Sequence, residues 1–398
     1  MTPIQKVIRF IFSIFFVSIG LQCFALDGLV QKQTFEMPSY QTIGGKTIKN
    51  LKVGFETYGT LNAKGDNAIM VCHFFSGNSH AAGKYKDSDA APGYWDSIIG
   101  PGKPYDTEKY FIIASDSLVN LGANDPSVVT TGPASINPDT GKPYAMSFPI
   151  VTIQDFVRVQ KALADKLGVK KLAAVTGASM GSLQTVEWAA MFPDMVERII
   201  PVIPGGLEAG AFLIEEAQIW ANPILSDPNW NGGNYYDKAD KPLKGLQQSL
   251  QVVTINSRNP GWSERTFSRN WSVAGKNPLD DWQNTFAIVE GIERASVARA
   301  KIADANHFLY LVRANQLFRV GNANSVEEGI KPIKAKALFI PASSDQLLLP
   351  EYSKRAVALL KKQGNAAEYV EIPGDGGHID GITDIAKVGE QIKAFLNR

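Results

Sequence analysis

The sequence predicts an α/β fold: a mostly parallel sheet with helices on both faces and a helical insertion serving as a lid. Three observations lead there. Short apolar runs alternate with longer helical patterns. The runs are apolar throughout rather than at every second residue, as in strands buried on both faces. The rhythm is interrupted once, over residues 204–331, where no strand pattern is visible.

The chain opens on MTPIQKVIRFIFSIFFVSIGLQCFA (residues 1–25). Lys6 and Arg9 precede an apolar run from Phe10 to Leu21 that is too short to span a bilayer comfortably. Cys23 and Ala25 then put small residues at the positions needed for cleavage after Ala25. This is the pattern of a secretory signal peptide, which predicts a periplasmic or secreted mature protein without a stable membrane anchor. The alternative is a short N-terminal anchor; a lipoprotein at Cys23 is disfavoured by Gln22. Cleavage would take the formal net charge from +1 to near −1 and leave Cys72 as the single thiol.

Six segments then read as buried strands: NAIMVCH (67–73), KYFIIASD (109–116), KLAAVT (171–176), ERIIPVI (197–203), KALFIP (336–341) and AEYVEIP (367–373). Each is short, and most are closed by turn residues. The helix from Thr152 to Leu167 opens on a Thr-x-x-Asp cap and ends at Gly168. Met180 to Met191 is stopped by Phe192-Pro193, Pro350 to Lys362 by Gly364, and Ile385 to Leu396 closes the chain. The predicted organisation is therefore a leader (1–25), a core in two parts (26–203 and 332–398) and a helical lid (204–331). The lid holds LEAGAFLIEEAQIWA and ANHFLYLVRANQLF, separated by turn-rich polar pieces.

Composition narrows the function. With 44% hydrophobic and 20% charged residues, the chain is neither disordered nor fibrous. A net charge of +1 gives no polyanion-binding face, so nucleic acid is not an expected partner. Two cysteines exclude a disulfide framework and a Cys-based zinc site. There is no metal constellation and no dinucleotide-binding glycine loop, so no cofactor is expected.

The chemistry-bearing motif is Gly177-Ala178-Ser179-Met180-Gly181, between the strand KLAAVT and a helix. A serine in a tight strand–helix turn needs small residues two before and two after it, and the turn sets its hydroxyl at a helix N-terminus. Such an elbow takes its acid and then its base from later in the chain. Only His307 and His378 follow Ser179. His307 lies in an apolar helical stretch and reads as a packing residue. His378, in the loop GDGGHIDG, reads as the base. Asp345, just past the strand KALFIP, reads as the acid. Asp375 reads as a solvated loop residue and Asp380 as a local cap. His378 would then take the proton of Ser179, and Asp345 would fix the imidazole tautomer. The oxyanion needs two N–H donors: the backbone of Met180, and that of Phe75, with Phe74 next in preference. His73 and His80 flank that loop, and His73 reads as packing.

At this level of detail the chain resembles the homoserine O-acetyltransferase family of the α/β-hydrolase superfamily. The resemblance is carried by VCHFFSGNSHAAG (71–83), PGYWDSIIGPGKPYDTEKYFII (92–113), TGPASINPDTGKPY (131–144) and FPIVTIQDFVRVQKALADKLGV (148–169). It continues through GASMGSLQTVEWAAMFPDMVERIIPV (177–202), LSDPNWNGGNY (225–235) and NHFLYLVRANQLF (306–318). It implies an α/β-hydrolase fold, a triad of Ser179, Asp345 and His378 with donors at Phe75 and Met180, and a homodimer built through the lid. The departures bear on substrate. The family carries an Asp directly after the catalytic His, where it holds the amino group of homoserine; here Ile379 stands there. The family's lid Arg, which binds the substrate carboxylate, falls near Leu250, and no Arg occurs from Ile199 to Ser257. The expected function is therefore that of an exported serine hydrolase cleaving a small-molecule carboxylic ester through an acyl-enzyme. The alternative is an acyl-CoA-dependent O-acyltransferase using the same triad. A non-catalytic binding protein is disfavoured by the intact triad. Phe74, Phe75, Trp220 and Phe308 read equally as linings of an apolar acyl or alcohol pocket and as core residues.

Overall fold

The computed structural model describes residues 29–398, so the expected signal peptide lies outside the described residues. The eight strands of the main sheet are β1 (Gln33–Gln41), β2 (Thr47–Tyr58), β3 (Ala68–Cys72), β4 (Phe111–Ser115), β5 (Leu172–Ala178), β6 (Arg198–Val202), β7 (Lys336–Phe339) and β8 (Ala367–Tyr369). Their spatial order is β1-β2-β4-β3-β5-β6-β7-β8. From β4 to β8 every pairing is parallel; β1 and β2 form an antiparallel hairpin, and β2 also runs antiparallel to β4.

Each of the six expected segments forms a strand; β5 runs on to Ala178, and in AEYVEIP the continuous strand covers Ala367–Tyr369, with a further bridge from Ile372 to Ala342. In β3 every residue is buried: Met70 and Cys72 face one core, Ile69 and Val71 the other. This two-sided burial is why the run carries no alternation. The hairpin β1–β2 was not foreseen. Its strands are amphipathic, and Pro38 interrupts β1 in a way tolerated at a sheet edge.

The first core lies between the sheet and helices α1 (Ile153–Lys166), α2 (Met180–Met191) and, further along the chain, Pro350–Gln363. Helix α1 starts as expected, with Thr152 and Asp155 forming a reciprocal capping box. The same Asp155 carboxylate accepts from the Tyr40 hydroxyl (2.7 Å) and the Ile43 N–H (2.8 Å), which ties the hairpin to α1. Every residue of α2 from Met180 to Ala190 is buried, so this helix is fixed on all sides. On the opposite face, Trp95, Ile98 and Ile99 pack with Ile392 and Phe395 of the C-terminal helix Gly389–Leu396.

Residues 203–335 add no strand to this sheet. They contain α3 (Ala211–Leu225), α4 (Leu243–Asn256), α5 (Pro260–Thr266), α6 (Ala287–Ile302), α7 (Ala305–Gln316) and α8 (Val326–Ile330). Helix α3 packs on α4 and α7, and α4 packs on α6. Together they roof the carboxyl ends of the parallel strands, where open α/β sheets place their sites.

Candidate active site

Ser179 sits between β5 and α2 at φ 55°, ψ −118°, a conformation few non-glycine residues adopt. The flanking glycines permit it. A Cβ on Gly177 would lie 2.5 Å from the Gly181 carbonyl oxygen, and one on Gly181 would lie 2.1 Å from that of Cys72. Strand β3, the elbow and the first turn of α2 therefore meet backbone to backbone.

The Ser179 hydroxyl donates to His378 Nε2 (2.8 Å), and His378 Nδ1–H donates to Asp345 Oδ2 (2.7 Å). The other carboxylate oxygen, Asp345 Oδ1, accepts from the Leu347 and Leu348 N–H groups, both at 2.9 Å. Asp345 and His378 are buried. The loop carrying His378 is tied to the acid loop, since Gly377 N–H donates to the Ser344 hydroxyl (3.1 Å). The three residues selected from the sequence thus come together from three separate strand ends. Asp375 is exposed and pairs with Arg265. Asp380 is buried, opens the short helix Asp380–Thr383 and accepts from Gly376 N–H (3.0 Å).

The N–H groups of Phe75 and Met180 have no acceptor among the described residues, and both residues border the cavity at Ser179. His73 proves to be more than loop packing. Its Nε2 accepts from the Ser117 N–H (3.0 Å), so the proton of the neutral ring lies on Nδ1, which donates to the Phe74 carbonyl (2.7 Å). That contact fixes the 74–75 peptide, and with it the direction of the Phe75 N–H. Burial holds the His73 imidazole below its ordinary pKa, consistent with the neutral ring. Nothing in the sequence marks His73 for this task, because it depends on a partner one residue away and another across the sheet.

Behind the loop is a buried ionic cluster that was not foreseen. Glu56 meets Lys32 Nζ (3.1 Å), His80 Nδ1 (3.1 Å) and the hydroxyls of Tyr58 and Tyr85. Burial pushes its carboxyl up, but the bond from His80, the charge of Lys32 and the bond from Tyr85 outweigh this and hold it below its usual range. Asp116 accepts from the Ser79 N–H (2.7 Å) and the Val129 N–H (2.9 Å), anchoring the same loop. His307 is fully packed, with Nδ1–H donating to the Asn120 carbonyl (2.8 Å) and Nε2 accepting from the Ala134 N–H (3.2 Å).

Two lobes open at Ser179, both bordered by Phe75, Trp220 and Leu347. The first, about 80 Å³, is lined by Met180, Leu183, Leu213, Ala217 and Phe318, with Glu216 at its wall. The second, about 140 Å³, is lined by Phe74, Val253, Ile379 and Ile382, by His378, and by Arg258 and Arg299. Phe308 lines neither lobe: it is wholly buried and packs edge-on against Phe75, with ring centroids 5.1 Å apart.

Comparison with known proteins agrees with this fold. A family model described as the alpha/beta hydrolase fold matches residues 92–384. The homoserine O-acetyltransferase of Methanococcoides burtonii is 37% identical over 357 residues, covering 90% of this chain and 71% of that protein. The chain belongs to the homoserine O-acetyltransferase family of α/β-hydrolases. Among solved structures, the homoserine O-acetyltransferase from Bacillus anthracis superposes with a TM-score of 0.88 at 38% identity, covering 93% of this chain and 98% of that one. Esterase E22 superposes with the same TM-score of 0.88 at 49% identity, covering 92% of this chain and all of that one.

The two positions at which the sequence departs from the family pattern can now be placed. Ile379, next to His378, lines the second lobe. Leu250, near the expected place of the family's lid Arg, is fully buried on α4. One expectation needs correcting. The stretch 199–257 lacks arginine, but Arg258, one residue beyond it, and Arg299 on α6 reach the second lobe. Two cationic side chains therefore line that lobe. The window missed them because the fold brings residues 258 and 299 together over the site.

Proposed function

We propose that this protein is a serine esterase that cleaves a small carboxylic ester through an acyl-enzyme. Ser179 Oγ attacks the ester carbonyl as His378 takes its proton, and the developing oxyanion accepts from the Phe75 and Met180 N–H groups. The tetrahedral intermediate collapses with cleavage of the bond to the alcohol oxygen, which receives the proton from His378. Water, deprotonated by His378, then attacks the acyl carbonyl; the bond from the acyl carbon to Ser179 Oγ breaks, the carboxylic acid leaves, and Oγ takes the proton back from His378.

The observation that carries this reading over acetyl transfer to homoserine is Ile379. An ammonium group placed beside His378 would meet an isoleucine where the family supplies a carboxylate. Burying it there without a partner costs several kcal/mol. The proposed export of the chain by residues 1–25 argues the same way, since acetyl-CoA is a cytoplasmic metabolite. The second reading, an O-acyltransferase with an alcohol in place of water, is favoured by the names of the relatives.

The test is to incubate the purified protein with p-nitrophenyl acetate, and separately with acetyl-CoA plus homoserine, and to follow products by chromatography. Hydrolysis of the neutral ester, lost in Ser179→Ala, with no O-acetylhomoserine is the expected result. O-acetylhomoserine forming faster than the ester is hydrolysed would establish the transferase instead.

A further inference from the structure

The two lobes at Ser179 have different duties. In an acyl-enzyme reaction the base that deprotonates the serine must next protonate the leaving oxygen, so the alcohol departs on the side of His378. His378 and Ile379 line the second lobe, which is therefore the alcohol lobe. The first, lined by Met180, Leu183 and Phe318, receives a short acyl chain.

The alcohol lobe carries two guanidinium groups, and neither forms an ion pair among the described residues. Arg299 donates through Nη1 to the Thr254 hydroxyl (2.8 Å), a neutral partner. Arg258 lies over the Trp262 ring, 4.5 Å from its centroid, and its Nε is sealed from solvent with no acceptor. Asp380 acts on Arg258 through its charge but forms no ion pair with it, and its Oδ2 accepts from the Gly376 N–H and the Ser344 hydroxyl. Burial lowers the pKa of both arginines, and the charge of Arg258 acts in the same direction on Arg299, so the two charges repel. Two half-buried, mutually repelling guanidiniums are costly without an anion. A planar or tetrahedral oxyanion that bridges them offsets that cost through charge-assisted bonds.

We propose that the alcohol lobe selects esters whose leaving alcohol bears an anionic group, a carboxylate or a phosphate, held by Arg258 and Arg299. The assignment rests on the esterase reading above. It also gives Ile379 a role: the lobe accepts an acid and offers no counter-charge for an amine beside His378.

The experiment compares kcat/KM for 3-acetoxypropionate, 2-acetoxyethyl phosphate and the neutral 3-acetoxypropionamide. At least one anionic ester is expected to be preferred about 10- to 100-fold, the range of one or two charge-assisted bonds. A preference for the first identifies a carboxylate, and for the second a phosphate. The preference should fall toward unity in Arg258→Gln/Arg299→Gln and be partly restored in Arg258→Lys/Arg299→Lys. Ratios within threefold of unity for both anionic esters in the wild-type protein would overturn the proposal, and this measurement requires no variant to fold. If p-nitrophenyl acetate is turned over while those ratios stay near unity, only the anion site is wrong. If no ester is turned over at all, the esterase reading itself fails.

Discussion

Replacing Asp345 by asparagine probes the triad through a single proton. The Asp345 Oδ1 atom accepts from two backbone N–H groups, those of Leu347 and Leu348, both at 2.9 Å. An asparagine has one acceptor oxygen, and those two donors claim it, because turning the amide around would set its NH2 against them. The NH2 is then directed at His378 Nδ1, across the contact that measures 2.7 Å in the wild type. Nδ1 must become an acceptor, which moves the ring proton to Nε2, the atom 2.8 Å from Ser179 Oγ. The serine loses its base although nothing has moved. Tautomer loss of this kind costs roughly 10⁴-fold in kcat in other triads, about 5.5 kcal/mol of barrier. KM should change little, since Asp345 lines neither lobe. Initial rates with p-nitrophenyl acetate, corrected by active-site titration, measure both parameters. Asp375→Asn serves as the control, because that carboxylate is exposed and pairs with Arg265. A loss in Asp345→Asn of less than tenfold would refute the assignment of the acid.

Two further predictions concern packing and titration. Gly181→Ala gains up to about 1 kcal/mol in helix propensity, yet its Cβ would stand 2.1 Å from the Cys72 carbonyl oxygen, so strand or elbow must shift by an ångström or more. We expect kcat to fall about 100-fold, together with a lower melting temperature, and unchanged values would show that the close approach constrains nothing. His73 and His307 both have pKa values pulled down by burial, so below about pH 6.5 the unfolded chain binds protons that the native rings refuse, and stability falls with acidification. Glu187 works in the opposite sense: burial lifts its carboxyl to about 7, so the native state holds a proton that the unfolded chain releases above about pH 4.5. Urea midpoints from pH 7.5 to 5.5 should therefore decrease modestly in the wild type and more steeply in Glu187→Gln, and a flat profile in that variant would refute the histidine assignment.

The parts legible in the sequence were those in which one local rule operates. Strand β3 announced itself because a strand covered on both faces is apolar throughout, and α1 because Thr152 and Asp155 cap it within one turn. The triad was legible because its order along the chain and its position after each strand are consequences of the sheet. Strands β1 and β2 escaped because their amphipathic sequences mix polar with apolar residues, as loops do. The Glu56–Lys32–His80 cluster escaped because its members come from three separate segments and each alone reads as a solvated side chain.

The same distinction explains why chemistry was easier to read than specificity. Ser179, Asp345 and His378 each follow a strand end, and the order of the sheet brings those ends together. The alcohol lobe is assembled by a roof. Val253, Thr254 and Arg258 arrive from α4 and the turn after it, Arg299 from α6, and Ile379 and Ile382 from the loop of the base. No spacing rule links residues 258 and 299. Their meeting depends on α4 packing against α6, which leaves no periodic trace in either helix. A change of a few residues lining that lobe can therefore exchange a carboxylate for Ile379, or move a cation from one helix to another, while the strand ends that carry the triad stay as they are. On the proposed esterase reading, the leaving group can therefore change while the triad geometry stays the same, and the residues to compare between relatives are those that line this lobe.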